Sequence, residues 1–323
     1  MGDNTGGLEP EELEAVFRHL HIEFDKFVHE PDEKLFLATD FQRDLYGFIE
    51  SGCPALVGFE LSEPDPRRHI IPVFGHTFNE DAWVPGAQRA YFGNKLAYYP
   101  SESWLSTFVI HDDNFGPYLC LPRHFLQVHS PLSVCRLLRP LAKQFPRKFF
   151  GKDNFRLLYG LKSQSLAYGS VDAEALAFAF FSVIANNVAT TGVDWYDRFA
   201  IFTRCKWLVL RTLLLSRDQY LNHLRSLRDR TDARVEDPLI ARLQTALPAT
   251  FWMVEASAPE LYTVSRRKFG EVLLSPTTDR SASLDALVLA ARLPGVVSFG
   301  GATLTNDPTA VEGHTPIFGF PSV

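Results

Sequence analysis

Sulfur-containing residues are scarce in this chain: 323 residues carry four cysteines and two methionines. Cys53, Cys120, Cys135 and Cys205 form no C-x-x-C pair and no close cluster. That spacing argues against a structural zinc site or a disulfide scaffold, and it suits a reducing compartment. A basic excess is missing as well. With 32 basic against 38 acidic side chains the formal charge is -6, the wrong sign for a surface that tracks a phosphate backbone. No nucleic-acid partner is expected. Long apolar runs are absent too: the most apolar stretch, 173–189, is short and is interrupted by Glu174 and Asn186, so no membrane contact is expected. The opening MGDNTGGLEPEEL has neither the basic nor the apolar region of a secretory signal, and no N-x-S/T sequon occurs. The expected location is the cytoplasm. A phosphate-cradling glycine loop, a G-x-S-x-G elbow and an H-E-x-x-H helix are likewise missing, so no cofactor and no metal are expected.

Apolar residues are plentiful. They make up 46% of the chain and include 27 phenylalanines, enough for two domains with sizeable cores and against disorder. Leu13, Val16, Phe17 and Leu20 recur at helical spacing after Pro10, which suits a first helical turn. A second helix is expected over 40–50, with Gly52 placed for a left-handed cap. The period then changes. The runs 55–61 and 69–76, separated by SEPDPRR, read as neighbouring antiparallel strands, and 108–111 as a third strand entering a turn. An aromatic insertion, 79–104, lies between the second and third strands, and 121–152 reads as a connector rich in proline and basic residues. Further on, helices are expected at 171–188, 218–230 and 283–292, and strands at 207–215, 251–257, 270–274 and 295–299. The tail from Gly300, rich in glycine, threonine and proline, reads as loosely held.

The polar residues of the first half cluster around these strands: His69, His76, Asn79, His111, Asp112 and Asp113. A glycine turn, Gly52-Cys-Pro54, opens a strand; His69 begins the returning strand; a further strand ends His111-Asp112. Over about 8–118 this order resembles papain-like cysteine peptidases, in particular the bacterial branch that removes double-glycine leaders. The resemblance implies His69 as general base and Asp112 as the carboxylate that orients it. A thiol needs a neighbouring imidazole to become a thiolate near neutral pH, and the imidazole needs a third group to set its tautomer. The family's nucleophile lies upstream at a helix start, but no cysteine here precedes Cys53. Cys53 is therefore the candidate nucleophile, against a reading as a small buried hydrophobe.

Two functions follow from the resemblance. One is a cysteine-peptidase-like protein, inactive if Cys53 does not serve. The other is a non-catalytic module that holds a peptide or protein in the same cleft, partly covered by the aromatic insertion. His76 and Asn79 are expected to stabilise a bend, and His69, His76, His111 and Asp112 lack the spacing of a metal site. Glu255 sits inside an apolar strand, so it must be paired or face solvent; Arg211, flanked by leucines, is the natural partner. The pair is expected as outward-facing charges on a half-exposed sheet, with a polar pocket as the alternative. The fold class that follows is α+β. A truncated papain-like domain (1–125) and a connector (126–152) precede a second α/β domain (153–300) with a mostly antiparallel sheet, then the tail (301–323).

Overall fold

A computed structural model describes residues 10–28, 38–60, 68–78, 90–93, 96–112, 116–122, 154–162, 166–187, 206–227, 234–235, 237–293, 296–300 and 303–306. The protein is α+β and divides into two compact units: residues 1–78 with 105–165, and residues 79–104 with 166–323. The chain therefore passes between the units three times. The boundary expected at 125–153 is corrected on both sides, since the insertion belongs to the second unit and 154–162 to the first.

In the first unit, α1 (Pro10–His19) and α2 (Ala38–Glu50) form where the helical periods predict. Gly52 caps α2 with φ 68°, a conformation that a side chain would strain. Six strands, β1 (Glu23–Val28), β2 (Ala55–Glu60), β3 (Arg68–Phe78), β6 (Leu105–Asp112), β7 (Gly116–Pro122) and β8 (Asn154–Lys162), build one antiparallel sheet in the order β1-β8-β2-β3-β6-β7. Apolar residues at alternate positions of the strands, such as Val57 and Ile71, pack with Leu45 and Tyr46 of α2 into one core. Gly160 of β8 lets α2 sit close. A Cβ there would lie 2.1 Å from the Phe48 ring.

In the second unit, β4 (Tyr91–Phe92), β5 (Ala97–Pro100), β9 (Trp207–Ser216), β10 (Thr250–Ser257), β11 (Gly270–Leu274), β12 (Val288–Leu293), β13 (Val296–Phe299) and β14 (Thr303–Asn306) form a sheet in the order β14-β13-β12-β11-β10-β9-β5-β4. Every pair is antiparallel except β5 with β9. One face packs with α3 (Ser170–Asn187) through Ala177, Phe181 and Ile184. The other packs with α4 (Arg217–Ser226) and α5 (Asp237–Ala246) through Tyr220, Leu224 and Leu243. With both faces covered, every residue of β9 from Leu208 to Leu215 is buried, and all but Arg211 and Thr212 are apolar. α4 starts on a capping box: the Gln219 amide donates to Ser216 Oγ at 3.2 Å, and the Ser216 amide donates to Gln219 Oε1 at 2.9 Å.

Three further expectations change. The helix expected over 283–292 is one turn, α7 (Leu284–Leu287), and then β12, because pairing with β11 and β13 outweighs the helix propensity of its leucines and alanines. The tail contributes β14, paired with β13. The described part of the aromatic insertion supplies β4 and β5 to the second sheet, together with a single 3-10 turn over Ser101–Trp104. Trp104 is fully buried there and donates through Nε1 to Thr263 Oγ1 at 3.1 Å, on α6 (Pro259–Ser265).

Candidate functional site

The strands of His69 and Asp112 are neighbours, as the sequence implies. His69 stands opposite Phe59 near the start of β3, and its side chain lies outside the described residues. Asp112 is buried at the end of β6, with its backbone opposite Gly116. The β3–β6 ladder runs from Val73–Ile110 to Phe78–Leu105 and pairs neither His69 nor Asp112 across the two strands.

Cys53 does not join them. It precedes Ala55, which pairs with Val73, whereas His69 pairs with Phe59 at the far end of the same ladder. Four rungs at about 3.3 Å each separate the two ends by about 13 Å, beyond the combined reach of a thiol and an imidazole. No helix starts at Cys53 either; its amide closes the end of α2 by donating to the Phe48 carbonyl at 2.9 Å. The helix dipole that lowers a thiol's pKa at an N-terminus is therefore reversed in sense there. Cys120, on β7, is exposed, and Cys135 and Cys205 lie outside the described residues.

The imidazole–carboxylate pair seen in this unit is a different one. His76 Nε2 meets Glu50 Oε1, with both side chains buried. The His76 ring packs against Tyr46 at 5.1 Å and Phe78 at 4.8 Å. His76 thus belongs to a strand, not to the expected bend. The reason is a bulge: the β3–β6 register slips between Val73 and Gly75, so both Val73 and His76 turn toward α2 although they are three residues apart. Enclosed in this way, the pair fastens the end of α2 to β3. Among the described residues no group of histidine, cysteine and carboxylate side chains could hold a metal ion.

The outer face of the same sheet is different in character. Ile70 and Phe74 of β3 and Tyr118 of β7 are exposed apolar side chains, and the Phe74 and Tyr118 rings meet edge to face at 5.6 Å. Tyr118 is 74% exposed and has φ 62° inside β7, which ends the sheet among the described residues. A left-handed conformation at a non-glycine residue costs about 1–2 kcal/mol. Strain of this kind collects where a side chain is being presented.

In the second unit, strand register assembles a row of charge. Arg211 of β9 stands opposite Glu255 of β10, Glu255 opposite Glu271 of β11, and Glu271 opposite Arg292 of β12. Arg211 Nη1 donates to Glu255 Oε2 at 3.0 Å and Arg292 Nη1 to Glu271 Oε1 at 3.1 Å. Lys268 sits between the two carboxylates, with Nζ 2.7 Å from Glu255 Oε1 and 2.6 Å from Glu271 Oε2. Tyr220 of α4 donates its hydroxyl to Glu271 Oε1 at 2.5 Å. The Arg211–Glu255 pair expected from the sequence is thus present, but none of these groups faces solvent, since α4 covers the row and every member is buried.

Burial alone pushes the Glu271 carboxyl up, but the Lys268 and Arg292 charges, with hydrogen bonds from Lys268 and Tyr220, hold it well below the usual carboxylate range. Burial, then the Glu271 carboxylate, push the Tyr220 phenol well above its ordinary value, so it remains a donor. Lys268, Glu271, Arg292 and Tyr220 escaped the sequence reading because register, not proximity in sequence, brings them together. The usable signal was the charge inside apolar runs at Glu255 and Arg211.

Comparison with protein-family models, with curated proteins and with solved structures finds no match to this chain.

Proposed function

We propose that the chain is a non-catalytic peptide-binding module, and that its first sheet takes up an extended apolar segment of a partner at β7. The observation that carries this reading is Tyr118, three-quarters exposed and strained in an edge strand, paired with the exposed Phe74 ring. An edge strand supplies main-chain donors and acceptors to an added strand, and exposed rings beside it read alternate side chains of that strand. The papain-like resemblance points to the same class of ligand. A peptidase built on Cys53 and His69 is disfavoured by their placement at opposite ends of the β2–β3 ladder.

Selection of a random-peptide library on the purified chain tests the reading. Selected peptides should alternate apolar residues and bind at micromolar strength. Tyr118→Gly should weaken them by tenfold or more while the thermal midpoint holds or rises, because glycine relieves the left-handed strain. Equal binding by Tyr118→Gly and by Phe74→Ala would overturn the proposed site. In parallel, a thiol-reactive peptide probe should label Cys53 with or without His69→Ala; labelling that depends on His69 would restore the peptidase.

A further inference from the structure

The buried charge row is capped by α4, which brings two polar side chains over it from one helix face, Tyr220 and His223, three residues apart. Tyr220 is satisfied by Glu271. His223 is not: its Nε2 is buried and has no hydrogen-bond partner among the described residues. The charged groups that reach His223 are Lys268, just before β11, Glu271 on β11, Glu255 on β10 and Arg292 on β12. Arg211 on β9 closes the row through Glu255. The charged residues of the neighbouring α5, Asp237 and Arg242, are exposed, as are Asp218 and Arg225 of α4 itself. Among the described residues the row holds three cations and two carboxylates, and each carboxylate is already shared between two of the cations.

We propose that α4 is an acid-released latch: a proton taken from solvent by His223 adds a cation beside the row, and α4 then lifts from the sheet. A neutral imidazole fits where it is because it can turn an unprotonated nitrogen to the buried side. An imidazolium must bring a full charge to a buried nitrogen that has no hydrogen-bond partner among the described residues and that lies within the field of Lys268. Its escape is toward solvent, and among the described residues the helix that carries it is tied to the row by the Tyr220 hydroxyl. The apolar face under α4, including Leu213, Met253 and Leu273, is then uncovered. Burial first and the Lys268 charge second bring the His223 pKa down from 6.5 to about 4, which sets the range in which the latch works. Between those values the open form binds the proton and the closed form does not, so opening is favoured progressively as pH falls.

Hydrogen exchange on the full chain, followed from pH 7 to pH 4 and corrected for intrinsic exchange, tests the latch. Between pH 7 and pH 4 the opening constant of the α4 amides should rise by about 100-fold, the ratio set by the ordinary and the lowered value. The β10 and β11 amides should keep their protection. His223→Gln, neutral at every pH, should abolish the rise, and His223→Lys should show the open α4 already at pH 7. If α4 and β10 lose protection together, if no rise occurs by pH 4, or if His223→Gln behaves as the wild type, the latch does not exist. His223→Gln keeps the test decisive even if His223→Lys fails to fold.

Discussion

Replacing Lys268 by methionine isolates the electrostatics of the buried row. Its ammonium lies 2.7 Å from Glu255 and 2.6 Å from Glu271, so the two carboxylate oxygens are no more than 5.3 Å apart, the sum of those distances. Two unit charges at that separation repel by about 3 kcal/mol at an effective dielectric near 20. Loss of one member of a buried ion network costs about 3–5 kcal/mol by itself. Lys268→Met should therefore destabilise the second unit by about 3–6 kcal/mol, which lowers its thermal midpoint by roughly 10 °C or more for a unit of this size. The pH dependence gives the sharper reading. In the wild type the Glu271 pKa is depressed by the cations around it, so its contribution is complete above the ordinary carboxylate range and is lost as pH falls below that range. In Lys268→Met one of the facing carboxyls is raised instead, so stability should increase as pH falls from 7 toward 5. Urea melts across that interval measure the rise, against a Glu271 contribution that is constant there in the wild type. Lys268→Met with Glu255→Gln removes the repulsion and should recover most of the loss. A cost below about 1 kcal/mol, or no rise in stability of Lys268→Met as pH falls from 7 toward 5, would show that the row is solvated and the reasoning wrong.

Two further substitutions probe the first unit. His76→Phe keeps a ring against Tyr46 and Phe78 but takes the imidazole from buried Glu50, so it should cost about 3–5 kcal/mol, with Glu50→Leu in the same chain restoring much of it; urea midpoints decide. Gly160→Ala drives a Cβ into the Phe48 ring and should cost about 1–3 kcal/mol, and pairing it with Phe48→Leu should relieve the clash. Exchange rates of the α2 amides report the same displacement.

Local pattern was enough for much of the chain. Helical spacing marked α1, α2 and α4, glycine at position 52 marked the end of α2, and apolar runs marked β2, β3, β9, β10 and β11 as strands. Those features depend on residues within one or two turns of each other, so their physics is written locally. Glu255 inside an apolar strand announced a partner for the same reason: a buried carboxylate cannot stand alone, and Arg211 was the cation in a like setting. What the fold decided was which segments meet. β8 enters the first sheet between β1 and β2 from almost a hundred residues downstream of β2, and β5 joins the second sheet from before the first is finished. Alternation along β3 could not reveal the bulge that turns His76 toward Glu50, because one slipped residue inverts the parity. The leucines and alanines of 284–293 carry helix propensity, but an open edge at β11 and a facing Glu271 drew Val288–Leu293 into a strand and Arg292 into the row. Cys53 and His69 look close in a linear reading of a hairpin, yet register puts them at its two ends. Propensity and periodicity are short-range and legible in sequence; register and burial of charge arise only when distant strands pair.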